Sequence, residues 1–161
     1  MKRKLDHEMS ELQIGDAAPT ITLPRDGGET VTLRDVTGPV VLYFYPRDDT
    51  PGCTIEAIGF TAELEAFAQS GATIWGVSKD TVAKHEKFIT KHELKIALLS
   101  DADGDVCERY GVWGEKKMYG KVFMGIERAT FLIVDGKIAR IWREVKVPGH
   151  VDEVLEAVRS I

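Results

Sequence analysis

Cys53 stands in the segment Pro46-Arg47-Asp48-Asp49-Thr50-Pro51-Gly52-Cys53-Thr54, behind the apolar run Val40 to Tyr45 and ahead of a helical pattern. The carboxyl ends of strands in open α/β sheets are where sites form. A thiol titrates near about 8.5, and the free N–H groups and positive dipole end of a helix favour its thiolate, the nucleophilic form. Attack on a peroxide O–O bond asks for more. Donors must align the two oxygens and stabilise the leaving alkoxide or hydroxide. Thr50, the backbone N–H groups near Cys53 and an arginine are of the right types.

The elements that must position these residues follow from periodicity. Val40 to Tyr45 is continuously apolar, β-branched and aromatic, as in a central strand covered on both faces, and Pro46 stops it. From Cys53 to about Ser70, Phe60, Leu64 and Phe67 make one helical stripe. Ala72 to Val77 reads as a second strand, Thr81 to His92 as a helix with Val82, His85, Phe88 and Ile89 on one side, and Ala97 to Leu99 as a third strand. Strand and helix alternate, so this half should be parallel. Thr130 to Val134 and Lys137 to Trp142 flank Asp135-Gly136, a two-residue hairpin signal, and a last helix carries Val151, Val154, Leu155 and Val158.

Upstream, Thr20 to Leu23 and Thr30 to Leu33 alternate around Asp26-Gly27-Gly28, predicting an antiparallel hairpin at a sheet edge. Gly111, Gly114, Gly120 and Gly125 punctuate what reads as a long loop. The sum is a thioredoxin-like α/β fold with an N-terminal β-hairpin extension and a central mixed sheet flanked by helices. Residues 1–12, polar and without period, are expected to be an extension, and 13–161 a single domain.

Composition narrows the function classes. At 161 residues there is room for one domain with a real core. The 21 basic residues are scattered and outnumbered by 26 acidic ones, which argues against nucleic acid. Met1-Lys2-Arg3-Lys4 is followed by Asp6, His7 and Glu8 where a signal peptide needs apolar residues, and no run reaches membrane-spanning length, so the expected location is the cytoplasm. The two cysteines form no CxxC or zinc-type spacing, and His7, His85, His92 and His150 show no metal-ligand pattern; His85 reads as a satisfied packing residue. Asp101-x-Asp103-x-Asp105 begins like a calcium loop but has Val106 and Val112 where glycine and glutamate are required.

Pro46-x3-Thr50-x2-Cys53 matches the peroxiredoxin active-site motif. Thr50-Pro51-Gly52-Cys53-Thr54-x-Glu56-Ala57 resembles the bacterioferritin comigratory protein, or peroxiredoxin Q, branch. The likeness continues through Tyr110 to Lys117, Gly120-Lys121 and Glu127 to Ile133, and covers about Leu12 to the C-terminus. It implies a peroxidase for hydrogen peroxide and small alkyl hydroperoxides, without metal, haem, flavin or selenium. Cys53 would be the peroxidatic thiol, passing through a sulfenic acid. Thr50 would hydrogen-bond the sulfur and the peroxide, and Arg128 would stabilise the thiolate and the developing oxyanion. Pro46 would shield the sulfur and shape the pocket floor. Glu56, expected in the first helical turn, takes a structural role before a catalytic one.

Many members of this branch carry a resolving cysteine five residues after the peroxidatic one, or on the next helix. Here the first position is Ile58, and Thr81 to His92 contains no cysteine. Cys107, in a short helix at a place usually held by a small apolar residue, is expected to pack. The resemblance therefore implies a one-cysteine enzyme recycled by thioredoxin, a glutaredoxin or a low-molecular-weight thiol, acting as monomer or homodimer. Three alternatives stay open: a redox-sensing or partner-binding module, a two-cysteine mechanism using Cys107, and a thiol–disulfide oxidoreductase, against which the single active-site cysteine argues.

Overall fold

The computed structural model describes residues 11–161, so most of the expected extension over 1–12 lies outside the described residues. Strands β1 (Thr22–Pro24) and β2 (Thr30–Thr32) form a short antiparallel hairpin. Then come β3 (Val40–Phe44), α1 (Pro51–Ala62), α2 (Leu64–Gln69), β4 (Thr73–Ser78), α3 (Val82–His92) and β5 (Ala97–Ser100). The short helix α4 (Val106–Arg109) leads into β6 (Trp113–Met118) and β7 (Lys121–Ile126). The described chain ends with β8 (Ala129–Val134), β9 (Lys137–Trp142) and α5 (His150–Arg159).

Five strands make the central sheet in the order β5-β4-β3-β8-β9. β3 runs parallel to β4 and antiparallel to β8, giving the mixed thioredoxin-like sheet. Every residue of β3 is buried, as a continuous apolar run demands. Its side chains alternate between two cores. Val40, Leu42 and Phe44 pack with Phe131, Val106, Cys107, Tyr110 and the β1–β2 hairpin residues Ile21 and Leu23. Val41, Tyr43 and Tyr45 face the other way, into Cys53, Phe60, Phe67, Phe88 and Val154 from α1, α2, α3 and α5. The N-terminal hairpin is a separate two-stranded sheet tied to the β5 edge, where Asp26 N–H donates to the Leu98 carbonyl and Leu98 N–H to Asp26 Oδ1, each at 3.0 Å.

Two elements depart from expectation. The helical stripe after Cys53 is divided at Glu63, whose φ of −101° and ψ of 10° interrupt the helix. The stripe nonetheless continues across the break, with the Phe60 and Phe67 ring centroids 5.9 Å apart. The glycine-punctuated loop is instead the β6–β7 hairpin, paired from Trp113–Ile126 to Met118–Lys121 and turned by Tyr119 and Gly120 at φ of 53° and 78°. These strands are largely exposed, so the alternation that marks a half-buried strand is missing from them.

Candidate active site

Pro51 occupies the first turn of α1, where its fixed φ suits helix entry and its missing N–H costs nothing. Thr50 precedes it in extended conformation as the N-cap, and its carbonyl accepts from Thr54 N–H at 2.8 Å. Cys53 therefore lies in the first turn, only 2% exposed, near the N-terminal end of the helix.

Arg128 comes from the short link between β7 and β8, 75 residues away in sequence. Its Nη2 donates to Cys53 Sγ at 3.5 Å and its Nη1 to Glu56 Oε1 at 2.7 Å. The backbone beneath it is clamped: Val145 N–H donates to the Arg128 carbonyl at 2.9 Å, and Glu127 is gripped by Arg143 at 2.6 Å and Glu144 N–H at 2.7 Å. Gly52 explains how the guanidinium fits, since a Cβ there would stand 3.0 Å from Nη2. Any larger residue would press the guanidinium away from the sulfur.

Glu56 is fully buried, on the same helical face as Cys53 by its i+3 spacing. Its Oε2 has no partner among the described residues. Burial pushes the carboxyl up to about 7, and the Arg128 charge and hydrogen bond pull the other way without prevailing. The expected dipole role is thus secondary: Glu56 faces the guanidinium that reaches the sulfur.

Thr50 is placed differently from expectation. Its hydroxyl donates to the Arg47 carbonyl at 2.9 Å rather than to Cys53, because the turn Arg47–Thr50 brings that carbonyl back over the N-cap. With the hydrogen so used, the oxygen lone pairs remain available to accept. Pro46 is half-buried in the bend directly after β3.

The turn between Pro46 and Thr50 is anchored by residues that sequence reasoning did not connect with it. Asp48 accepts from the Tyr45 hydroxyl at 2.6 Å and lies 2.7 Å from His85 Nδ1. Asp49, at φ of 58°, is held by Lys91 and His92 from α3 at 2.8 and 2.9 Å. His85 is buried as expected, but its Nδ1 is tied to the Asp48 carboxylate of the turn, so it is not only packing. The i, i+7 spacing of His85 and His92 on one amphipathic helix was the available signal.

Cys107 is completely buried in the opposite core from Cys53, with the central sheet between them. Burial pushes its thiol far above the ordinary range, and the neighbouring Asp101 adds to the shift. The oxygens of Asp101 accept the N–H groups of Val106 and Cys107 at 3.1 and 2.8 Å, at the start of α4. No helix of the described residues is long and apolar enough to cross a membrane.

Residues 14–141 match the AhpC/TSA family. A putative peroxiredoxin bcp of Coxiella burnetii is 49% identical over 146 residues, covering 89% of this chain and 97% of the relative. Peroxiredoxin Bcp of Bacillus subtilis is 48% identical, covering 93% and 97%. Among solved structures, the Xanthomonas campestris bacterioferritin comigratory protein, whose trapped intermediate and ligand complexes concern alkyl peroxide reduction, superposes with a TM-score of 0.82 at 45% identity. It covers 87% of this chain and 90% of its own.

Proposed function

The chain belongs to the AhpC/TSA family and is a peroxidase that takes a hydroperoxide substrate and a thiol reductant, and within that activity we propose a one-cysteine mechanism centred on Cys53. The observation that carries the assignment of Cys53 is the Arg128 fork, which reaches Cys53 Sγ at 3.5 Å while its other arm is fixed on Glu56.

The Cys53 thiolate attacks the terminal oxygen of the hydroperoxide. An S–O bond forms as the O–O bond breaks, the sulfur is oxidised to sulfenic acid, and the leaving alkoxide or hydroxide takes a proton to become alcohol or water. Arg128 donates to the oxygen on which charge develops, the kind of contact whose removal costs about a hundred-fold or more. The Thr50 oxygen accepts the peroxide hydrogen and so orients the O–O axis. Pro46 walls the pocket beside them and lengthens the life of the sulfenate.

The sulfenic acid then condenses with an external thiol, releasing water and leaving a mixed disulfide, and a second thiol restores Cys53. Thioredoxin, a glutaredoxin or a low-molecular-weight thiol serves as donor, in the cytoplasm. Burial of Cys107 in the opposite core supports an outside reductant, since disulfide formation needs Cα atoms within roughly 7 Å. The relative with alkyl peroxide reduction activity supports small alkyl hydroperoxides beside hydrogen peroxide as substrates.

The test is intact-protein and peptide mass after a substoichiometric pulse of hydrogen peroxide with a sulfenic-acid trap. An adduct on Cys53, and loss of turnover in Cys53→Ser, are expected. Turnover in Cys53→Ser would sink the assignment, and a Cys53–Cys107 disulfide would overturn the one-cysteine part alone.

A further inference from the structure

His85 is completely buried on α3, and both ring nitrogens face acceptors. Nε2 lies 2.9 Å from the Leu99 carbonyl on β5, which can only accept, so Nε2 carries a hydrogen. Nδ1 lies 2.7 Å from Asp48 Oδ2 and donates as well when that carboxylate is ionised. Asp48 is itself held on two further sides. Its Oδ1 accepts from the Tyr45 hydroxyl at 2.6 Å, and its N–H donates to Asp80 Oδ2 at 2.8 Å, an oxygen that also accepts from the Ser78 hydroxyl at 2.7 Å. The residue midway between Pro46 and Thr50 is thereby joined to the ends of β3 and β4, and through the imidazole to α3 and β5.

We propose that His85 is a positioning residue for peroxide reduction, fixing through Asp48 the turn that presents Thr50 and the first turn of α1 with Cys53. The inference rests on the peroxidase reading of Cys53. Among the described residues the turn has no sheet partner of its own, and Thr50 takes its place from the Arg47 carbonyl within that same turn. A shift of about 1 Å in an aligning group costs on the order of a hundred-fold in rate.

The groups facing the imidazole are Asp48 from the active-site turn, Asp80 from the β4–α3 link and the Leu99 carbonyl, with the Tyr45 ring centroid 6.5 Å away. Arg47, Lys84 and Lys87 border the cleft above Asp48 and Asp80. Burial disfavours charge on the ring, but the Asp48 pair, the Leu99 carbonyl and Asp80 outweigh it and hold the imidazolium above the usual histidine range. As pH rises through that raised value, Nδ1 loses its hydrogen and its lone pair faces the Asp48 carboxylate. The clamp then opens.

The experiment follows Cys53 oxidation by hydrogen peroxide in rapid-quench trapping from roughly pH 5.5 to 9.5, with thermal melts, in the full-length wild type, His85→Leu and Asp48→Asn. His85→Leu is expected to lower the second-order rate constant by about ten-fold or more near neutral pH while still melting cooperatively above the assay temperature. The wild type is expected to slow at alkaline pH. Asp48→Asn, whose amide can donate to a neutral Nδ1, is expected to decline less steeply, keeping only the change that Glu56 contributes near pH 7. Wild-type rate in folded His85→Leu overturns the inference, as does an alkaline decline in Asp48→Asn as steep as that of the wild type. Should His85→Leu not fold, the Asp48→Asn profile decides. A wild-type Cys53 inert to peroxide would overturn the peroxidase reading itself, a different outcome from equal rates in the variants.

Discussion

Glu56 and Arg128 meet in a pair whose carboxyl is fully buried, Oε1 to Nη1 at 2.7 Å, while the second guanidinium nitrogen reaches the Cys53 sulfur. The protonation of Glu56 therefore sets how much of the Arg128 charge is left for Cys53. A neutral carboxyl leaves the guanidinium field at the sulfur uncompensated, and an ionised one cancels part of it. Burial places that change at about pH 7.

Glu56→Gln should become more stable relative to the wild type as pH rises. The folded-state value of about 7 lies above the ordinary carboxyl value of 4.5, so the native state binds a proton that the unfolded chain has released between the two. The contribution of Glu56 to wild-type stability is fully present below about 4.5 and is lost as pH rises through about 7, a change of up to about 3 kcal/mol. Denaturant melts of both proteins at pH values across that window read the difference directly. A difference that stays flat would mean that the Arg128 pair, and not burial, governs the carboxyl.

Arg128→Lys should lower the rate constant of Cys53 oxidation by about a hundred-fold, nearly as much as Arg128→Met. A lysine carries the charge but not the planar fork that holds Glu56 and Cys53 at once. Stopped-flow oxidation at saturating reductant separates this loss from any defect in recycling. Recovery to within a few-fold in the lysine variant would show that charge alone suffices.

Thr50→Val should slow peroxide attack by about ten-fold or more, whereas Thr50→Ser should stay within a few-fold. Valine keeps the shape and removes both the hydrogen bond to the Arg47 carbonyl and the acceptor oxygen; serine keeps both. Equal rates for the two variants would restrict Thr50 to turn geometry.

How far the site was legible depended on whether its determinants are local. The buried run Val40 to Tyr45 and the turn pair Asp135-Gly136 specify their elements within a few residues, and both form as read. The helical stripe read from Cys53 likewise forms, although the helix opens earlier, at Pro51. The β6–β7 hairpin escaped because its strands lack a buried face, and Tyr119-Gly120 is not a familiar turn pair. Arg128 needed the family resemblance, because its contact with Cys53 depends on β8 lying beside β3. The Asp48–His85 pair spans 37 residues and forms only once α3 packs over the sheet, so a histidine on an apolar stripe read as packing alone.

Cys107→Ser should leave peroxidase turnover, and the yield of trapped Cys53 sulfenic acid, at the wild-type level. The two sulfurs sit in separate cores on opposite faces of the central sheet, so a disulfide would require the fold to open and not merely α1 to unwind. Burial also keeps the Cys107 thiol protonated, which removes its nucleophilic form. The substitution should instead cost stability, by about 1–3 kcal/mol, because a hydroxyl is placed where a thiol packs among Leu42, Phe44 and Phe131. Steady-state turnover with a thiol donor, measured beside a denaturant melt, tests both halves. Reduced turnover in a variant that remains folded would bring Cys107 into the catalytic cycle and require a large opening of the sheet between the two cores.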